Sequence, residues 1–111
     1  MLNFELETET KGSSALVKVR GDLDLQVVER LIEQLTRIES EEPDLLVIDL
    51  SDLSFMDSSG MASIAAASIR ARETGRRFAI VVPPRGVRQA FELTKLDEVI
   101  TTTDDLASVY P

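Results

Sequence analysis

The 111-residue chain has the length of one domain, and an apolar content of 43% suffices for a single core. It contains no His and no Cys, which excludes a Ser-His-Asp hydrolase in its usual form, thiolate chemistry, disulfides and Cys-ligated metal. A net charge of −8 argues against nucleic acid, where neutralised phosphates supply most of the affinity.

Residues 3–8 set Phe4 and Leu6 in alternation with polar neighbours, a short strand pattern. Lys11-Gly12-Ser13-Ser14 reads as a turn. Residues 15–20 alternate again, with Val17 and Val19 on one side and Lys18 and Arg20 on the other, so the pair predicts an antiparallel hairpin. Gly21-Asp22-Leu23-Asp24 closes the second strand, and Asp24 is a fair N-cap for the next element. There Leu25, Val28, Leu31, Ile32, Leu35 and Ile38 recur at helical spacing, with Glu29, Arg30, Glu33, Gln34 and Arg37 on the other face. That is a core helix with a solvated back, ended by Glu41-Glu42-Pro43.

Leu45-Leu46-Val47-Ile48 is continuously apolar, the mark of a central parallel strand buried on both faces. Residues 49–54 lead from it into Phe55-Met56-Asp57-Ser58-Ser59-Gly60. The Ala-rich run behind predicts a helix over about residues 58–74, able to lie close to a sheet and stopped at Thr74-Gly75. Residues 78–82 form a second buried strand, and Pro83-Pro84 is a break. A third helix over about residues 85–94 turns Val87, Ala90 and Phe91 inward. Residues 99–101 are a short last strand, and Asp104 caps a final helix with Leu106 and Val109 inward. Between residues 70 and 88 six Arg accompany one Glu: either a solvated face that complements helix C-termini, or a patch for an acidic partner.

After the hairpin, strands and helices alternate, which predicts one α/β domain over residues 1–111. Its expected sheet is mixed and mostly parallel, with the N-terminal hairpin and about four helices. Sites in such sheets lie beyond the carboxyl ends of the strands. Asp22 and Asp24 follow one strand and Asp57 and Ser58 another, on the same expected edge. No apolar run is long enough to span a bilayer, and no signal-peptide pattern follows Met1. With the absence of Cys, these features give the expectation of a cytoplasmic protein without a membrane role.

The phosphate-cradling G-x-x-x-x-G-K-[ST] is absent, and five scattered glycines do not make G-x-G-x-x-G. Asp22, Asp24, Asp49 and Asp57 suggest a Mg²⁺ site at first sight, but carboxylates near helix starts are more often caps, so neither metal nor cofactor is expected. A phospho-aspartate receiver with Asp49 as acceptor ranks low: residues 4–8 are followed by no Asp pair, and a hairpin does not suit a purely parallel sheet.

The stretch Asp57-Ser58-Ser59 sits where the chain leaves a sheet and enters a helix. One reading is an N-cap, since Ser and Asp oxygens accept from the unpaired first N–H groups. The other is a hydroxyl on Ser58 displayed for modification by another protein. Both can hold, because a phosphoryl group there meets a helix N-terminus on one side and Asp57 on the other.

With its preceding strand, this stretch resembles the STAS domain of bacterial anti-sigma factor antagonists, the group of the sporulation and general-stress antagonists. The matching residues are Gly21-Asp22-Leu23-Asp24, residues 45–50 with Asp52-Leu53-Ser54, and Phe55-Met56-Asp57-Ser58-Ser59-Gly60. Val87-Arg88-Gln89-Ala90-Phe91 before residues 93–96 adds support. The resemblance implies a non-enzymatic partner switch. The unmodified antagonist binds an anti-sigma factor that is also a serine kinase of the ATP-binding type, and so frees the sigma factor. The kinase then phosphorylates the Ser after the Asp, here Ser58 with Ser59 as the alternative, and the complex falls apart until a serine phosphatase resets it. Asp24 and Asp57 match acidic positions near the phosphorylated Ser. The expected partner-binding set is Asp22, Asp24, Met56, Asp57, Ser58, Ser59, Gly60 and Met61, with the two methionines as flexible apolar contacts. Where the family often has Gly-Leu-Gly, this chain has Gly60-Met61-Ala62, which adds a methyl to the contact face and bears on which partner fits. The alternative function is a non-phosphorylated STAS scaffold in a transporter or stress-sensing complex.

Overall fold

The computed structural model describes residues 3–83 and 86–111. Strand β1 (Phe4–Lys11) and strand β2 (Ser14–Leu23) pair antiparallel in register from Phe4↔Gly21 to Lys11↔Ser14, turning at Gly12. Both strands run longer than the alternation alone predicts. Strand β3 (Leu45–Asp49) is buried at every position and lies parallel to β2. Strand β4 (Leu53–Met56) also pairs parallel with β2, beyond the end of β3. Strand β5 (Arg77–Val81) and strand β6 (Thr101–Thr103) extend the sheet in parallel on the far side of β3, so the order is β1-β2-β3-β5-β6. The mixed, mostly parallel sheet with its N-terminal hairpin is the architecture expected from the sequence.

Helices α1 (Val28–Glu39), α2 (Ser58–Thr74) and α3 (Val87–Leu93) share one core with the sheet. Leu31 and Leu35 of α1, Ile64 and Ala67 of α2 and Phe91 of α3 meet Val17, Val19, Leu46, Ile48 and Ile80 there. Removing a side chain of this size from water contributes about 1.5–3 kcal/mol. Ser63, Ala67, Ser68 and Ala71 form the buried stripe of α2, and their small size lets the helix lie close to the strands. The left-handed Gly75 (φ 75°) stops it. Three of the six arginines have partners within the domain among the described residues. Arg70 binds Glu39 through two hydrogen bonds of 2.7 and 2.9 Å, tying α2 to α1. Arg76 donates to the Pro43 carbonyl, and Arg88 lies 3.9 Å from Asp104. Arg85, where the third helix was expected to begin, is outside the described residues.

The opposite face of the sheet has a smaller apolar cluster. Leu16, Leu45, Val47, Ala79 and Val81 are covered by the last residues of the chain, chiefly Tyr110 with Leu106 and Val109. The final helix expected there is a single 3-10 turn (Leu106–Ser108) capped by Asp105 rather than Asp104. A second such turn (Leu96–Glu98) precedes β6. The described residues thus hold three α-helices, not four; the last segment makes a 3-10 turn and is held by the apolar contacts of Leu106, Val109 and Tyr110. The last strand also moves, from residues 99–101 to Thr101–Thr103, leaving Val99 exposed.

Tyr110 is buried, and Lys11 sits 5.6 Å from its ring and donates to the Pro111 carbonyl. Burial, followed by the nearby Glu9 carboxylate, raises the phenol pKa. Glu9 acts on the hydroxyl by its charge and lies near enough to attract its proton, but the approach lacks hydrogen-bond geometry, so no partner among the described residues satisfies the hydroxyl. A buried hydroxyl without a partner costs about 1–3 kcal/mol. Tyr110→Phe is therefore expected to be neutral or to raise stability by about 1 kcal/mol in denaturant unfolding. A loss of stability would show that the hydroxyl is satisfied in solution.

Candidate functional site

The site is built where β2 and β4 end together. Gly21 has a left-handed φ of 90°, and a side chain there would collide with the Asn3 backbone, so only glycine suits this position. The register between β2 and β4 shifts at Gly21/Asp22: Gly21 pairs with Leu53, while Asp22 pairs with Phe55 and Leu23 with Met56. This bulge brings Asp22-Leu23-Asp24 alongside Phe55-Met56-Asp57, and the Asp57 N–H donates to the Leu23 carbonyl at 3.1 Å. Strand β4 escaped the sequence reading, which treated residues 49–54 as a lead-in.

Asp57, not Ser58, is the N-cap of α2. Its Oδ1 accepts from the N–H groups of Ser59 (2.9 Å) and Gly60 (3.1 Å) and from the Ser59 hydroxyl (2.6 Å). Its Oδ2 accepts from the Leu25 N–H at 3.0 Å, which ties the β2–α1 connection to the start of α2. The Ser59 hydroxyl, then the backbone donors, hold the Asp57 carboxyl below its usual pKa despite partial burial. Because the folded pKa is depressed, Asp57 stabilises the domain above about pH 4, where the unfolded carboxyl is also ionised. That stabilisation is lost as pH falls through the lower, folded pKa. Asp57→Asn is therefore expected to melt lower than wild type at pH 7 and to show a shallower loss of melting temperature between pH 5 and pH 3. Parallel acid profiles for the two proteins would contradict this.

Ser58 is the first residue of α2; it is exposed, and its hydroxyl has no hydrogen bond among the described residues. The two serines thus differ: Ser59 is committed to Asp57, while Ser58 points its hydroxyl at solvent. Asp57 also occupies the Ser59 and Gly60 donors, so a phosphoryl group on Ser58 does not gain the backbone bonds that position alone suggested. Gly60 is buried, and a methyl there would come within 2.8 Å of the Leu23 side chain and 2.9 Å of Met56. It shapes the site from beneath rather than facing outward. Met56 and Met61 are half-buried and line an open trough of about 340 Å³ together with Ser58, Ala62, Ala65, Ala90 and Thr94.

Asp24 does not cap α1 directly. Its Oδ1 accepts from Gln26 N–H and its carbonyl from Val27 and Val28, closing a turn before the helix, whose N-cap, Val27, makes no side-chain bond. This turn throws Leu25 into solvent at 74% exposure, although helical spacing predicted it inward; Ile32 is exposed as well. Asp22 is half-buried within β2, on the same edge. Asp49 is buried at the end of β3 and accepts from Ser51 N–H, away from the other three aspartates. Among the described residues no three carboxylates converge as a metal site would require.

The comparisons with known proteins agree with this architecture. The STAS domain profile matches residues 5–109. An anti-sigma-B factor antagonist of Staphylococcus aureus is 26% identical over 99 residues, covering 89% of this chain and 92% of that protein. A crystal structure of an anti-sigma factor antagonist from Mycobacterium paratuberculosis superposes with a TM-score of 0.88 at 26% identity, over 96% of this chain and 90% of the other. The Bacillus cell fate determinant SpoIIAA in its phosphorylated form shares the fold, with a TM-score of 0.73 at 20% identity over 96% of both chains. The profile covers nearly the whole sequence, and the chain belongs to the STAS domain family.

Proposed function

We propose that this chain is an anti-sigma factor antagonist that works by partner switching. In its unmodified form it binds an anti-sigma factor of the ATP-binding serine-kinase type and releases the sigma factor. The kinase transfers the γ-phosphoryl group of ATP to the Ser58 oxygen, ADP leaves, and the hydroxyl proton passes to solvent. The phosphorylated form no longer binds, and a serine phosphatase hydrolyses the ester to restore the first state. The protein acts in the cytoplasm, as a kinase substrate rather than an enzyme, without contacting DNA or membrane. No helix among the described residues is long and apolar enough to cross a membrane.

One observation carries this reading: Ser58 is exposed at the start of α2 and its hydroxyl has no hydrogen bond among the described residues, while Asp57 performs the capping that a serine there would otherwise do. Ser58 is thereby released from structural duty. Two antagonists among the similar proteins, at 26% identity each, support the regulatory class.

The test is a titration of unphosphorylated chain into a complex of the cognate anti-sigma factor and its sigma factor. The expected result is stoichiometric release of the sigma factor, and no release by chain already phosphorylated on Ser58. Equal release by both forms would contradict the switch.

A further inference from the structure

Ile69, Leu93 and Val99 are large apolar side chains that the fold leaves in water, at 55%, 77% and 58% exposure. They stand along one groove beside α2. Ala62 and Ala65 share a trough with Ala90 and Thr94, so Leu93, in the same turn of α3, lies beside the first half of α2. Ser68 and Arg72 share the next hollow with Val99, so Val99 lies beside the second half. Ile69 falls between these two points. It faces out, because Ser63, Ile64, Ala67, Ser68 and Ala71 make the buried side of the helix. A single exposed apolar residue is ordinary, but three along one groove mark an interaction surface.

The charges along this groove indicate what covers it. Arg72 lines the hollow that holds Val99, and Glu92 is the residue before Leu93. Both are exposed, and neither takes part in an ion pair among the described residues. A cation thus stands at one end of the apolar row and an anion at the other, with Ile69 between them. That arrangement is self-complementary. A two-fold axis at Ile69, lying in the plane of contact and perpendicular to α2, sets two copies of α2 antiparallel with Ile69 against Ile69. The same rotation brings Leu93 of one copy to Val99 of the other, and Arg72 to Glu92, each contact being made twice. Ala65 and Ala66 come opposite Arg72 and Glu73 of the second copy, and their small size leaves room for the longer stems. A partner of one charge sign would match only one end of the row.

We infer that the groove bearing Ile69, Leu93 and Val99 is an interface through which two copies of this chain associate, with Arg72 of each meeting Glu92 of the other. This goes beyond the proposed switch and does not depend on it. Ser58 lies about 16 Å nearer the start of α2 than Ile69. In the antiparallel arrangement the second copy's α2 ends with Thr74 level with Ile64, so Ser58 extends beyond it and both serines of the pair stay open.

The test is equilibrium sedimentation of the full chain over a range of concentrations. The expected result is a mass that rises from one chain to two. Ile69→Glu opposes two carboxylates on the axis and is expected to weaken the dimer about 100-fold or more. Arg72→Glu and Glu92→Arg alone are each expected to weaken it at least about tenfold, and the two reversals together to return Kd to within about threefold of wild type. All four positions substituted or faced here are on the surface, so melting temperatures of the dilute variants are expected to match the wild-type monomer. If Ile69→Glu fails to fold, the charge reversals decide alone. A single-chain mass at every concentration up to about 1 mM overturns the inference. So does a dimer that the single reversals leave unchanged, or one that the double reversal fails to restore. Ser58→Glu is expected to dimerise as wild type; its loss of the dimer would move the contact to the start of α2 and overturn the assignment, leaving the switch untouched.

Discussion

Ser58→Glu is expected to leave a folded domain that has lost its anti-sigma partner. In the free protein the new carboxylate lies in water at the start of α2, where the helix dipole favours negative charge and partly offsets the neighbouring Asp57. Stability is therefore expected to change little. In the proposed complex the same position is expected to be desolvated against the partner, leaving the added charge without a counter-ion. An unbalanced charge at such an interface costs about 2–5 kcal/mol, a loss of roughly 30- to 5,000-fold in affinity. Glu carries one charge where phosphoserine carries nearly two, so true phosphorylation is expected to have the larger effect. Thermal melting and a binding titration on one sample decide the matter. Native-like melting with undiminished affinity would end the electrostatic explanation, even with phosphate found on Ser58.

Ser58→Ala is expected to abolish phosphorylation and leave partner binding intact, so that the variant stays bound to the kinase in the presence of ATP. Its stability is expected to stay within about 0.5 kcal/mol of wild type, as for a surface substitution without a structural role. The sequence alone suggested a larger cost, because a serine that caps a helix contributes about 0.5–2 kcal/mol. The structure removes that cost by assigning the cap to Asp57. Phosphate incorporated at the wild-type level into Ser58→Ala would move the acceptor to Ser59, whose hydroxyl must first leave Asp57.

Much of this architecture was legible in the residues. The continuous apolar run at 45–48 announced a strand buried on both faces, and the Ala-rich stretch ending at Gly75 gave α2 at the bounds observed. Strand β4 was not legible, because its bulged pairing breaks the two-residue period: Leu53 is buried, Ser54 and Phe55 are exposed, and Met56 turns inward again. Leu25 was misplaced for a related reason. Its spacing fits α1, but Asp24 closes a turn first, and the helix begins three residues later.

Within the site, the sequence indicated the stretch but not the division of labour inside it. Asp, Ser and Ser are all good caps, so only the geometry distinguishes Asp57, which binds the backbone, from Ser58, whose hydroxyl has no partner among the described residues. The same holds for Gly60, whose exposure cannot be read from a helical position until Leu23 and Met56 are seen packed against it.

The most direct measurement is peptide-level mass mapping of the wild-type chain after incubation with ATP and the cognate anti-sigma kinase. The expected result is a single phosphate on Ser58, with Ser59 unmodified. Phosphate on Ser59 with Ser58 unmodified, or none on either serine while the kinase modifies a known substrate, would contradict the account at its centre.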